Sequence, residues 1–250
     1  YISGASKAFA VLAERMCRDS VEKTKHLSVN ILGATPLDFS VNRTIPSMKT
    51  VLESHGIGIH AVWAMDTQFD KIVTSAAAHV NLVISACGLK AAKILQKRFG
   101  THFAVHIHKV DAVVHERFHF GENALLIGNL RLNFPDARTI IIGESVTALS
   151  LANALYEETG KGAQVLCAVD TEEELLSDGC IPARDETELI PYLKKAATII
   201  ADPMYRPICP KTVTFIELPH EGFSGRIYRD QIPQLVSGLD KFIEKGGLQL

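Results

Sequence analysis

A chain of 250 residues has room for one large or two smaller cores, and the usual size of domains favours two units of roughly 100 to 150 residues. Hydrophobic residues make up 47% and charged residues 22%, with 26 basic against 28 acidic side chains and a net charge of -2; this excludes a disordered chain and leaves no basic patch for nucleic acid or an acidic membrane surface. No apolar run of about 18 residues and no cleavable leader pattern occurs, and the five cysteines include no CxxC pair, so the expectation is a cytoplasmic protein with reduced thiols and no membrane partner.

The chain opens at Tyr1 inside a helix-like pattern, which leads us to expect a preceding segment. Runs of β-branched residues then alternate with helical periodicity, the pattern of parallel strands flanked by helices. Val29 to Leu32 reads as a strand stopped at Gly33, followed by a turn-rich loop from Ala34 to Asn42. Pro46 suits the first turn of a helix running to about Ser54, with Gly56 at its C-terminal cap. Strand Ile59 to Ala64, helix Phe69 to Ala78, strand Asn81 to Ser85, helix Leu89 to Phe99 closed by Gly100, and strand Phe103 to Ile107 continue the alternation.

The region His108 to His119 is polar and weakly periodic, and reads as the crossing between domains, followed by a bridging helix from Glu122 to Leu132. A second unit opens with strand Thr139 to Ile142, Gly143 and a helix from Val146 to Thr159. Strand Gln164 to Val169, helix Glu186 to Ala196, strands Thr198 to Ala201 and Val213 to Glu217, and an amphipathic helix from Ile232 to Glu244 complete it. The expected fold class is α/β, with two Rossmann-like three-layer units and mainly parallel sheets, divided as residues 1–120 and 121–250.

Neither a GxxxxGK[ST] loop nor a GxGxxG turn between strand and helix is present, so nucleotide hydrolysis and ordinary dinucleotide binding lose their best signals. In a parallel sheet, ligands bind beyond the carboxyl ends of the strands. Cys87 falls there, between a strand end and a helix N-terminus, where it reads either as a thiolate ligand to iron or a cluster or as a small thiol packed under the helix. His220, in Pro219-His220-Glu221-Gly222-Phe223-Ser224-Gly225-Arg226, reads either as an imidazole metal ligand or as a hydrogen-bonded loop histidine. His115 and His119 are spaced as a helical metal pair but read as a solvated connection. Cys17 and Cys167 look structural, in mid-helix and mid-strand, and Cys180 and Cys209 fall in loops. Lys90, Lys93, Lys97 and Arg98 form a basic helix face that reads as solvated.

The run Val29-Asn30-Ile31-Leu32-Gly33, followed by an Ile-x-x-Met-Lys-x-x-Leu-Glu-x-x-Gly helix, resembles the middle domain of nitrogenase component 1-like proteins. So do Ser3-Gly4-Ala5-Ser6-Lys7-Ala8-Phe9, the stretch from Ala78-His79-Val80-Asn81 through Gly88-Leu89 to Phe99-Gly100, and, for the final domain, Ile142-Gly143-Glu144-Ser145 and His220-x-x-Phe223-Ser224-Gly225.

The resemblance implies the middle and C-terminal domains of a three-domain oxidoreductase subunit. Such a subunit takes low-potential electrons from an ATP-dependent iron–sulfur reductase, pairs with an identical or paralogous subunit, and holds an iron–sulfur cluster, metallocofactor or tetrapyrrole between domains. It further implies Cys87 and His220 as metal ligands and Ser224 and Arg226 as groups positioning an anion, while the strand-end positions Gly33, Gly143 and Ser145 fall where the cofactor would sit. The fragment by itself is expected to be inactive and to hold no cofactor. Two other functions remain open: a non-catalytic scaffold for cofactor assembly, and a glycosyltransferase-like pair of Rossmann units binding a nucleotide sugar.

Overall fold

The computed structural model describes residues 1–39, 42–108, 110–120, 134, 136–176, 180–183 and 185–248. Two compact units divide the chain, Tyr1–Gly128 and Asn129–Leu250.

The first unit runs α1 (Ile2–Arg15), β1 (Ser28–Leu32), α2 (Pro36–Phe39), α3 (Thr44–Ser54), β2 (Gly58–Val62), α4 (Phe69–Val73), β3 (Val80–Val83), α5 (Leu89–Phe99), β4 (His102–Val105) and α6 (Val110–Phe120). Its four strands are parallel in the order β2-β1-β3-β4. The central pair is buried at every position, as a sheet covered on both faces requires. Helix α5 forms because Leu89, Ala91, Ala92 and Leu95 make one buried stripe, and it stops where Gly100 turns left-handed. Arg98 of α5 reaches to the end of α1, donating to the carbonyls of Glu14 at 2.8 Å and Cys17 at 3.0 Å and pairing with Asp19. The basic face is therefore not simply solvated: its arginine caps a neighbouring helix.

The second unit runs β5 (Thr139–Gly143), α7 (Ser145–Thr159), β6 (Ala163–Cys167), β7 (Ile181–Pro182), α8 (Glu186–Leu193), β8 (Thr198–Ala201), β9 (Thr214–Glu217), α9 (Glu221–Ser224) and α10 (Leu239–Lys245). Its strands are parallel in the order β7-β6-β5-β8-β9. The expected α/β class with parallel sheets is the observed one. Ile140, Ile142, Leu166, Leu189, Leu193 and Ile199 form the core of one face, and α7 is buried along most of its circumference.

Several local expectations are corrected. The stretch His108 to His119, read as a polar connection, contains helix α6, whose Val110 and Val114 are fully buried one turn apart. The helix expected from Ile232 to Glu244 is confined to Leu239–Lys245, because Pro233 and Gly238 interrupt the apolar period. The helix from Phe69 ends at Val73 and passes into a 3-10 turn at Ser75–Ala77, and the loop after Gly33 holds the short α2. The bridging helix expected from Glu122 to Leu132 lies outside the described residues.

Candidate functional site

In the first unit, the ends of β1 and β3 are knitted together by side chains too small to separate them. Gly33 follows β1 with φ +91°, and a Cβ there would lie 2.7 Å from Ser85 Oγ. Ser85 Oγ donates to the Gly33 carbonyl at 2.8 Å and lies 3.0 Å from Cys87 Sγ. Cys87 occupies the 3-10 turn Ala86–Gly88 that leads into α5, is 0% exposed, and points its thiol at the Gly33 carbonyl, 3.8 Å away. Gly88 allows this turn to approach: a Cβ would stand 2.7 Å from the Leu32 carbonyl carbon. Sequence places Gly33 and Cys87 at neighbouring strand ends, and the fold brings them into contact.

A carboxylate orders the loop beyond Gly33. Asp38 accepts from Thr35 Oγ1 at 2.5 Å and from Tyr1 Oη at 2.6 Å. On the far edge of the sheet, the register of β1 with β2 skips from Ile59 to Ala61, so His60 is the extra residue of a bulge. An open groove of about 290 Å³ runs along that edge, lined by Lys49, His60, Asp66, Gln68 and Lys71 among others. Burial first, and the Lys71 charge second, hold the His60 pKa below its ordinary value.

In the second unit, Gly143 ends β5 and Glu144 caps α7, accepting from the Thr147 amide at 2.9 Å and from Ser145 Oγ at 3.2 Å. Ser145 Oγ accepts in turn from Thr171 Oγ1 at 2.7 Å. At the end of β8, the fully buried Asp202 accepts from the Met204 amide, the His220 amide and Ser224 Oγ, at 2.9, 2.8 and 2.8 Å. His220 and Ser224 are thus joined through a carboxylate that the sequence pattern does not single out as functional. A signal is present in Asp202-Pro203, an N-cap followed by proline immediately after a strand. Arg226 is 82% exposed with its Nε 4.0 Å from Glu221 Oε1, while Arg229 makes the closer pair with the same buried carboxylate.

The imidazole of His220 has a defined polarity. Its Nδ1 accepts from the Gly222 amide at 3.0 Å, so the neutral ring carries its proton on Nε2. Metal-bound histidines usually do the reverse, donating from the second nitrogen to an acceptor. Cys87, for its part, is enclosed against the end of β1, so in the described conformation neither side chain by itself presents a ligating atom, and no chemical step is routed through a metal. Among the described residues, no group of three or more His, Cys, Asp or Glu side chains is arranged to hold a metal ion. Nor is any described helix long and apolar enough to cross a membrane.

Residues 1–110 match the family described as Nitrogenase component 1 type Oxidoreductase. The chain is 30% identical over 95 residues to a subunit of the light-independent protochlorophyllide reductase of Heliobacterium modesticaldum, an alignment covering 37% of this chain and 18% of that one. Two solved structures of nitrogenase Cp1, at pH 5 and pH 6.5, match with TM-scores of 0.58 and 0.55 at 14% and 11% identity, covering 98% of this chain and 60% and 62% of theirs. The chain therefore spans less than two thirds of the length of these relatives. Over residues 1–110 the chain is similar to the nitrogenase component 1-type oxidoreductase family, and over nearly its whole length its fold is similar to that of nitrogenase Cp1.

Proposed function

We propose that this chain is the middle and C-terminal part of an oxidoreductase subunit that receives low-potential electrons from an ATP-dependent iron–sulfur reductase. The observation that carries the reading is the family match over residues 1–110. Sequence leaves two cargo classes, a metallocofactor and a tetrapyrrole. The tetrapyrrole is the better supported, because the similar reductase acts on protochlorophyllide by its name, and because His220 presents an N–H polarity rather than a ligating nitrogen.

In this reading the strand-end groups bind and orient. Nε2–H of His220, buried in the described conformation, donates to a carbonyl or carboxylate of the bound molecule once the loop opens to admit it, and Arg226 supplies positive charge nearby. Ser224 and Asp202 hold the His220 loop in place. Gly143 and Ser145 keep the end of β5 small in the same unit, so that a flat ring can approach the backbone there. Cys87 and His220 as metal ligands belong to the competing metallocofactor reading, which demands that both side chains turn from their described positions.

The test is anaerobic purification of the subunit with its reductase, followed by ATP-dependent reduction of a tetrapyrrole monitored by absorbance. ATP-dependent bleaching or a spectral shift supports the proposal. Tight tetrapyrrole binding without reduction replaces the enzyme with a scaffold. Stoichiometric metal retained by the subunit and lost in both Cys87→Ala and His220→Ala restores the metallocofactor reading.

A further inference from the structure

The second unit contains a thiol pair outside the strand-end groups assigned above. Cys167 is the last residue of β6, and Cys180 immediately precedes β7. Their sulfurs stand 3.0 Å apart, with 1% and 6% of the two residues exposed. Sequence separates them as a mid-strand thiol and a loop thiol, but the parallel register of β6 with β7 brings them together: Leu166 pairs with Ile181 and Cys167 with Pro182.

We propose that Cys167 and Cys180 form a redox-reactive dithiol that is converted to an intrachain disulfide by a small-molecule disulfide oxidant. The two thiols give up two electrons and two protons as the Cys167–Cys180 bond forms. The oxidant's own S–S bond breaks, and its two sulfurs leave as thiols. Bond formation requires the sulfurs to close by about 1 Å, from 3.0 Å to the length of about 2.05 Å for a disulfide. That is a side-chain rotation rather than a rearrangement of strands.

The position gives the bond a consequence. Strand β7 is the edge of the sheet and is held by two residue pairs and the bond from the Ala183 amide to the Cys167 carbonyl at 2.8 Å. The excursion between the two cysteines carries Thr171, whose hydroxyl donates to Ser145 at the end of β5. A disulfide closes this excursion into a loop and fixes the minimal edge strand against β6, so the Thr171 contact with Ser145 becomes more persistent. The reduced pair is slow to react, because the hydrogen bond to Cys180 and then burial hold the Cys167 pKa well above the ordinary thiol value. Oxidation therefore needs either a raised pH or local opening of β7.

The test equilibrates the intact protein with reduced and oxidised glutathione at several ratios and about pH 8.5, where a thiol exposed by local opening of β7 is substantially ionised. Acid quenching, alkylation and peptide mass mapping follow. The expected result is a cross-linked peptide pair containing Cys167 and Cys180, two hydrogens lighter than the reduced pair, with Cys17 and Cys87 still alkylated. The oxidised protein is expected to melt at a higher temperature than the reduced one, and Cys180→Ser to lose that shift. Full alkylation of both cysteines at every ratio, or separate glutathione adducts on each, overturns the proposal. Should Cys180→Ser fail to fold, the mass map of the unsubstituted protein decides alone. These outcomes do not depend on whether the subunit reduces a tetrapyrrole.

Discussion

Asn30 donates from Nδ2 to Asn81 Oδ1 at 2.8 Å, placing two amides side by side in the centre of the first unit's parallel sheet. Both residues are fully buried, on adjacent strands whose other residues, Ser28 apart, are Val, Ile and Leu. The network is anchored by a second bond from Asn30 Nδ2 to the Ser75 carbonyl at 2.9 Å. A buried amide is tolerated only when its partners are present, and losing one strands the other. Asn30→Ala and Asn81→Ala should therefore each lower stability by about 1–3 kcal/mol. The double variant should cost less than the sum by at least about 0.5 kcal/mol. Urea unfolding of the four proteins measures this, and strict additivity would show that the two side chains act independently.

Gly88 is the tightest point of the strand-end constellation in the first unit. An added methyl would lie 2.7 to 2.9 Å from Leu32 carbon, Leu32 oxygen and Gly33 nitrogen, all of them backbone atoms that cannot swing away. Gly88→Ala should push the Ala86–Gly88 turn off the end of β1 and cost about 1–3 kcal/mol or more. The same shift should open the Cys87 thiol, which is enclosed in the native fold. Faster maleimide labelling of Cys87 in folded Gly88→Ala reads this directly, and an unchanged labelling rate would count against the packing described.

The elements legible in sequence are those whose determinants are local. Helix α5 ends where expected because Gly100 adopts the left-handed conformation that stops it, and β5 and β8 are short aliphatic runs with turn residues at hand. Helix α6 is hard to read because Val110 and Val114, which are buried, stand in sequence among histidines and charges that look like linker. The period from Ile232 to Glu244 misleads in the opposite direction, since Pro233 and Gly238 outweigh apolar spacing. At the site, Cys87, Gly33 and His220 are identifiable from their places after strands. Asp202 is identifiable in the same way as a strand-end residue, but its part in fastening His220 and Ser224 is not, because that depends on the register of β8 beside β9. The Cys167–Cys180 contact is hidden for the same reason.

Two histidines of the first unit give stability a pH dependence with a definite sign. Burial and then Lys71 lower the His60 pKa, and burial and then Lys23 lower that of His79. His79 Nδ1 also accepts from the Ser28 amide at 3.2 Å, a contact the protonated ring cannot make. Each folded-state pKa lies below the unfolded value of about 6.5, so the unfolded chain takes up protons first. The contribution is present above about pH 6.5 and is lost as pH falls through the folded-state values. The urea midpoint should drop between about pH 7.5 and about pH 5.5, and the drop should shrink in His60→Gln/His79→Gln. An equal drop in both proteins would assign the acid sensitivity elsewhere.

The polarity of His220 separates the two cargo readings without any activity measurement. Because Nδ1 accepts from the Gly222 amide, the neutral ring is the Nε2–H tautomer, and its orientation is fixed by Asp202 through the His220 amide. Nitrogen-resolved NMR of the histidine ring, in protein labelled on imidazole nitrogen, should report an unprotonated Nδ1 and a protonated Nε2. Asp202→Asn replaces one acceptor oxygen by an NH2 group facing donors, so it should loosen the loop and cost about 1.5–3 kcal/mol, the range for hydrogen bonds to a charged group. Ser224→Ala removes only one of the three donors and should cost less, about 0.5–1.5 kcal/mol. The tautomer should persist in Ser224→Ala and become mixed in Asp202→Asn. A protonated Nδ1 in the unsubstituted protein would mean that Nε2 is available to a metal, and the assignment of His220 would return to the metal ligand that the family resemblance implies.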